Sequence, residues 1–256
     1  MIGGTGVEHS ALIEQRVITV ETPYGTVKPV IGKLANRELI FMSRHGHNHA
    51  TPPHLVNYRA NIWALRELGV RKVLATAAVG SLSPNFHLGG LVLPDQFLDF
   101  TKSRPQTFYE GGQQGVLHVD MSEPYCFAMR QAIQEASENL GFQVKNGACY
   151  VCTEGPRFET PAEIRMFQRL GGELVGMTSV PEVVLARELG MCYATIGMVT
   201  NEAAGIAGHP LSHSEVIQSM KELGLNVAQL IHATFELLTP DQDCLCASAN
   251  LEVGKF

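Results

Sequence analysis

The fold turns on the stretch Pro181-Glu-Val-Val-Leu-Ala-Arg-Glu-Leu-Gly190 and the run that follows it, Met191-Cys-Tyr-Ala-Thr-Ile-Gly-Met-Val-Thr200. Proline lacks an amide hydrogen and has its φ fixed near the helical value, so Pro181 suits a helix start and Gly190 its stop. The apolar, β-rich run from Cys192 to Thr200 then predicts a strand. Similar runs recur outward from it, at Glu38 to Ser43, Lys72 to Val79, Leu91 to Phe97 and Ala148 to Thr153. Leu55, Tyr58, Ile62 and Leu65 fall on one helical face, and so do Val216, Met220, Leu223, Val227 and Leu230. Strands alternating with helices predict a single α/β domain, a mixed central β-sheet flanked by helices. Its expected extent is residues 1–240, with a polar, mobile C-terminal tail at 241–256.

Composition narrows the function. A chain that is 45% hydrophobic and 17% charged suits a soluble protein with a large interior. Its net charge of -6 offers no basic field for nucleic acid or anionic membrane, so a small anion must be held by a local cluster. No apolar run reaches spanning length and no signal peptide precedes the first motif, which predicts a cytoplasmic protein. Cys149 and Cys152 have the CxxC spacing of metal sites, but residues three apart on a strand face opposite ways. Cys244 and Cys246 are expected to lie exposed in the tail, where they could oxidise. No metal site is expected.

Several motifs carry possible chemistry. Gly3-Gly-Thr-Gly6 can bring backbone N–H groups to an anion, with Thr5 adding a hydroxyl, or can be a tight turn and nothing more. Only Met1 and Ile2 precede it, so its feeding strand is short. Arg44-His-Gly-His-Asn-His49 ends a strand, where α/β folds place ligands. Arg44 offers a fork of donors suited to phosphate. The histidines also admit a metal or a purely structural role, the metal reading being weakened by the lack of an acidic or His-x-x-x-His set. Thr76-Ala-Ala-Val-Gly-Ser81 ends another strand in small residues that permit close backbone approach or simply close packing. In Glu154-Gly-Pro-Arg-Phe-Glu-Thr-Pro-Ala-Glu163, Phe158 can stack on a flat heterocycle and Glu159 can accept from ring N–H groups, whereas Glu163 reads as a solvated helix residue. Thr178 stands at the mouth of a helix, and Asn201 offers a donor and an acceptor at a strand end. Neither G-x-S-x-G nor His-Glu-x-x-His is present.

From Gly3 to about Leu238 the chain resembles the trimeric purine nucleoside phosphorylases, in particular the branch containing methylthioadenosine phosphorylase. The resemblance rests on Gly-Gly-Thr-Gly, Arg-His-Gly, Asn57-Tyr-Arg-Ala-Asn-Ile-Trp-Ala-Leu65, Glu-Gly-Pro-Arg-Phe and Met-Thr-x-Val-Pro-Glu, in the family's order. It implies that Thr5, Arg44, His45, the backbone around Ala78 and Thr178 bind phosphate. It places Met177 under the ribose, Phe158 against the base, Asn201 at the purine N7 edge, and His118 over a neighbouring subunit's site in a homotrimer. Ala77 departs from the methylthioadenosine branch, which has a hydroxyl residue there; Ala78 retains its backbone donor.

Three further positions bear on substrate. Adenine-specific members resemble Asp-x-Asp where this chain has Asn201-Glu-Ala203. Asn201 can donate to a purine O6 and accept from a protonated N7, while Ala203 removes a carboxylate that would repel O6. Glu159 matches the 6-oxopurine enzymes, where it takes the N1–H. His213 aligns with a histidine that holds the ribose 5′-hydroxyl. The resemblance thus implies phosphorolysis of inosine and guanosine, with inorganic phosphate as co-substrate and no cofactor. Asn201, Glu159 and His45 would be its catalytic residues. Methylthioinosine or methylthioadenosine phosphorolysis is the alternative, and a catalytically silent nucleoside-binding protein is the reading outside enzymes.

Overall fold

Ten residues from Lys72 to Ser81 and eleven from Cys192 to Glu202 form two adjacent parallel strands in the middle of the sheet. The computed structural model describes residues 1–4, 12–35, 37–46, 50–206, 208, 211–239, 244–250 and 253–254, with residues 213, 253 and 254 described by backbone alone. In chain order the elements are β1 (Ile2–Gly3), β2 (Ile13–Val17), β3 (Val20–Thr22), β4 (Gly25–Val27), β5 (Val30–Leu34), β6 (Arg37–Ser43), α1 (Tyr58–Glu67), β7 (Lys72–Ser81), β8 (Leu91–Leu93), β9 (Gln96–Phe100) and β10 (Val116–Leu117). They continue as α2 (Phe127–Asn139), β11 (Val144–Asn146), β12 (Cys149–Thr153), α3 (Pro161–Arg169), β13 (Leu174–Gly176), α4 (Ser179–Glu188), β14 (Cys192–Glu202), α5 (His213–Leu237) and β15 (Val253–Gly254).

The main sheet runs β11-β8-β14-β7-β1-β6-β5-β2, and β13 leaves β7 to carry β12 and β9. Parallel pairs such as β1 with β6 and β7 sit beside antiparallel ones such as β13 with β7, so the sheet is mixed and the expected α/β architecture holds. The face of α5 is as the sequence predicts, with Val216, Met220, Leu223, Val227 and Leu230 all buried against Leu74, Ala194, Ile196 and Met198. The regular turns of α4 start at Pro181, because Val180 has extended dihedrals.

Two expectations change. The run Leu91 to Phe97 is not one strand: Pro94, which cannot donate to a ladder, separates β8 from β9, which pair with β14 and β12 respectively. Leu55 lies in a 3-10 turn and is exposed, and α1 begins only after Asn57, whose side chain accepts from the Ala60 amide.

The tail also departs from its expected exposure. Leu245–Ser248 form a 3-10 turn, Cys246 is 4% exposed, and β15 pairs antiparallel with β10. Among the described residues no helix is long and apolar enough to cross a membrane.

Candidate functional site

The carboxyl ends of β1, β6, β7, β13 and β14 open into one cleft of about 370 Å³. At one end Gly4 donates its amide to the Thr76 hydroxyl (3.1 Å), and a Cβ on Gly4 would stand 2.9 Å from Arg44 Nη1. That close approach requires the glycine. Arg44 itself is 3% exposed. Its Nε and Nη2 donate to the two oxygens of Glu182 (2.8 and 2.7 Å), and Nη1 donates to the Thr76 carbonyl (2.7 Å). The fork that the sequence assigns to phosphate is therefore held by a buried carboxylate. A guanidinium has five N–H donors, so one on each terminal nitrogen remains for an anion. Burial alone would lower the Arg44 pKa; Glu182 more than offsets it and keeps the charge fixed.

Thr178 borders the same end as the cap residue of α4, yet makes no capping hydrogen bond through its side chain. Its hydroxyl and the positive end of the helix both suit an anion. His45 places Nδ1 2.9 Å from the Thr51 carbonyl. A carbonyl only accepts, so Nδ1 carries the proton, and Nε2 donates to an anion only in the doubly protonated ring.

The other end is built around Gly80. The register between β7 and β14 shifts at Thr200, which sets Asn201 opposite Gly80; a Cβ on Gly80 would stand 3.1 Å from Asn201 Nδ2. Asn201 Nδ2 donates to the Glu202 carbonyl (2.9 Å), and Thr200 donates to its Oδ1 (3.0 Å). These contacts fix which amide face is which and leave one N–H and one lone pair. Glu159 is 9% exposed and accepts from the Thr153 hydroxyl at 2.6 Å. Burial raises its pKa, partly opposed by that hydrogen bond. Phe158, Met177 and Ala203 complete this end.

β7 sets the distance between the two ends. Thr76 anchors the Arg44 end and Gly80 faces Asn201, an interval of four residues or roughly 13 Å at about 3.3 Å per residue. This suits an anion, a sugar and a flat ring in line.

The sequence model of the phosphorylase superfamily matches residues 1–236. The chain belongs to that superfamily. A protein of Moorella thermoacetica named a probable 6-oxopurine nucleoside phosphorylase is 52% identical over 260 residues, covering 100% of this chain and 98% of its own. A Methanopyrus kandleri protein named a probable S-methyl-5′-thioinosine phosphorylase is 50% identical, with 97% and 96% covered. The crystal structure of a methylthioadenosine phosphorylase from an antarctic soil metagenomic library superposes with a TM-score of 0.88 at 35% identity, covering 97% of this chain and 89% of that one.

In this phosphorylase the cleft gathers Arg44, His45, Ala78, Phe158, Glu159, Met177, Thr178 and Asn201. Thr5 lies outside the described residues, as does the side chain of His213, whose backbone opens α5. His118 follows β10, is exposed, and does not line the cleft of its own chain. Glu163 closes a capping box with Thr160 and pairs with Arg157, which holds its pKa down to about 2.

Sequence reading missed Glu182 and Arg104. Arg104, 7% exposed, donates to the carbonyls of Met177, Val180, Thr153 and Glu154 (2.7 to 3.1 Å). It thereby ties the loop before Phe158 to the segment carrying Thr178. Nothing local in Ser103-Arg-Pro105 signals that role.

Proposed function

We propose that this phosphorylase cleaves 6-oxopurine nucleosides, inosine and guanosine, with inorganic phosphate, giving free base and ribose 1-phosphate for purine salvage. The observation that carries the reading is the 13 Å spacing, roughly, between an anion-suited end and a ring-recognising end along one strand. Phosphate is assigned to Arg44, His45, Ala78 and Thr178, with Thr5 and no cofactor; the sugar to Met177; the base to Phe158, Glu159 and Asn201. The names of both curated relatives agree on an oxopurine base.

The glycosidic bond stretches first and leaves positive charge on the ribose, as in glycoside cleavage. Bound phosphate offsets that charge and attacks the anomeric carbon from the opposite face, inverting it. Asn201 and Glu159 stabilise the departing purine as N7 takes a proton, replacing a dedicated general acid. Holding phosphate and sugar in line supplies much of the rate.

The direct test is phosphate-dependent release of hypoxanthine from inosine. Tight nucleoside binding with no release in phosphate would leave a silent binding protein instead. Leu211 and Val216, apolar and lining the same cleft, favour a second reading in which the 5′ substituent is methylthio. Competing inosine, adenosine and their methylthio analogues in one assay separates the two.

Glu159 must be ionised to accept the base N1–H, and burial raises its pKa. Activity toward inosine should therefore fall on acidification at a pH above the ordinary glutamate range. Glu159→Gln should lower kcat/KM and abolish that limb; a limb unmoved in the variant would remove Glu159 from base recognition. Thr178→Val should raise the phosphate KM on the order of tenfold, the worth of one hydrogen bond to a charged group, with little change in nucleoside KM. An unchanged phosphate KM would dismiss this hydroxyl.

The same reading includes a cytoplasmic location and a homotrimer in which His118 reaches a neighbour's cleft. Residues 1–240 would form the catalytic domain and 241–256 its tail. Sedimentation, and loss of nucleoside affinity in His118→Ala, test the assembly.

A further inference from the structure

Far from the cleft, Cys126, Cys192, Cys244 and Cys246 bring their four sulfur atoms within 4.8 Å of one another. All are free thiols, and Cys126, Cys192 and Cys246 are buried. They come from three separate parts of the chain. Cys126 is the cap residue of α2, Cys192 opens β14, Cys244 is the cap residue of the tail's 3-10 turn and Cys246 lies within that turn. The first two segments are joined by the Cys126 amide donating to the Tyr193 carbonyl (2.8 Å).

We propose that these four cysteines bind one zinc ion as a tetrathiolate, fastening the C-terminal segment to the body of the domain. A tetrahedral site with Zn–S near 2.3 Å has its sulfurs about 3.8 Å apart. The cluster lies close to that: Cys192 and Cys244 are 3.2 Å apart and every other pair is within 4.8 Å. Movements of less than about 1 Å would reach tetrahedral spacing. Among the described residues the four donors are all thiols, a set that as thiolates selects a soft or borderline ion such as zinc. Binding releases four thiol protons to solvent and leaves a site of net charge −2. Arg187 Nη1, itself buried, already donates to Cys246 Sγ (3.4 Å) and offsets part of that charge. The N-terminus of α2 at Cys126 contributes in the same direction.

The role is structural. Cys192 and Asn201 lie nine residue steps apart along β14, roughly 30 Å at about 3.3 Å per residue, so the ion touches no substrate. What it holds is the tail, whose strand β15 pairs with β10 just before His118.

The test uses the full chain, free of any metal-binding tag, reduced and reconstituted with zinc, then stripped of loosely bound metal. Elemental analysis should give about one zinc per chain, and cobalt substitution should give the intense visible bands of a tetrahedral tetrathiolate. The double variant Cys244→Ser with Cys246→Ser should lose at least about tenfold of the bound zinc, while Cys149→Ser, outside the cluster, should keep it. Removing zinc from the unmutated protein should speed proteolysis of the tail. Less than about a tenth of an equivalent of zinc, or cobalt spectra without thiolate bands, would overturn the proposal. So would recovery of the four sulfurs as two disulfides in protein purified without oxidant.

Discussion

Asn201→Asp is expected to lower kcat/KM for inosine and guanosine by about 10²- to 10⁴-fold, the range for a site built around one hydrogen-bond pattern that meets its mismatch. The half-buried Asn201 amide has one spare N–H and one spare lone pair after its contacts with Glu202 and Thr200. Aspartate keeps only acceptors. It faces an oxopurine O6 with a negative oxygen where Asn201 has its amide nitrogen, and removes the spare N–H. The same carboxylate suits an exocyclic amine, so adenosine cleavage should rise relative to inosine. Because Thr76 and Asn201 sit at opposite ends of the cleft, the phosphate KM should stay within about twofold. Steady-state kinetics on the three nucleosides checks all of this, and undiminished inosine turnover would remove Asn201 from base recognition.

Glu182→Ala is expected to cost about 3–5 kcal/mol of stability, because it leaves the Arg44 charge buried and unpaired. Glu182 is 0% exposed, takes two donors from Arg44, and accepts a third hydrogen bond from the Tyr193 hydroxyl (2.7 Å). For a domain of this length such a loss lowers Tm on the order of 10 °C. Arg44→Ala should raise the phosphate requirement strongly, since it removes the two donors left for an anion. Arg44→Ala combined with Glu182→Ala should cost less than the sum of the single changes, as both charges leave together. Chemical denaturation measures these values. A Glu182→Ala protein within about 1 kcal/mol of the parent would mean that the pair is not buried as described.

The sequence made the frame of the cleft readable because its signals are local. Small residues end β7, a proline starts the regular part of α4, and one apolar face runs through α5. The polar residues that follow the strands were legible for the same reason, and the structure brings Arg44, His45, Glu159, Thr178 and Asn201 into one cleft. Partnerships were not legible. Glu182 looks like an ordinary acidic residue in a first helical turn, although a single carboxylate inside Val180-Pro-Glu-Val-Val-Leu-Ala186 is a fair signal of a paired buried charge. Arg104 acts on carbonyls from four positions far away in sequence, and Cys126 and Cys192 meet the tail cysteines only after folding. The break at Pro94 has a local signal, but the apolar character of the run around it hides the missing donor.

Helix α4 has a wider consequence. Nine of its ten residues are buried, with Thr178 at its head, Glu182 on Arg44, Arg187 on Cys246 and Glu188 holding the Thr107 hydroxyl and the Phe108 amide. A segment so enclosed gives up its amide protons to deuterium only when the entire molecule opens. Folded molecules would then carry a ready-formed anion seat before any ligand arrives.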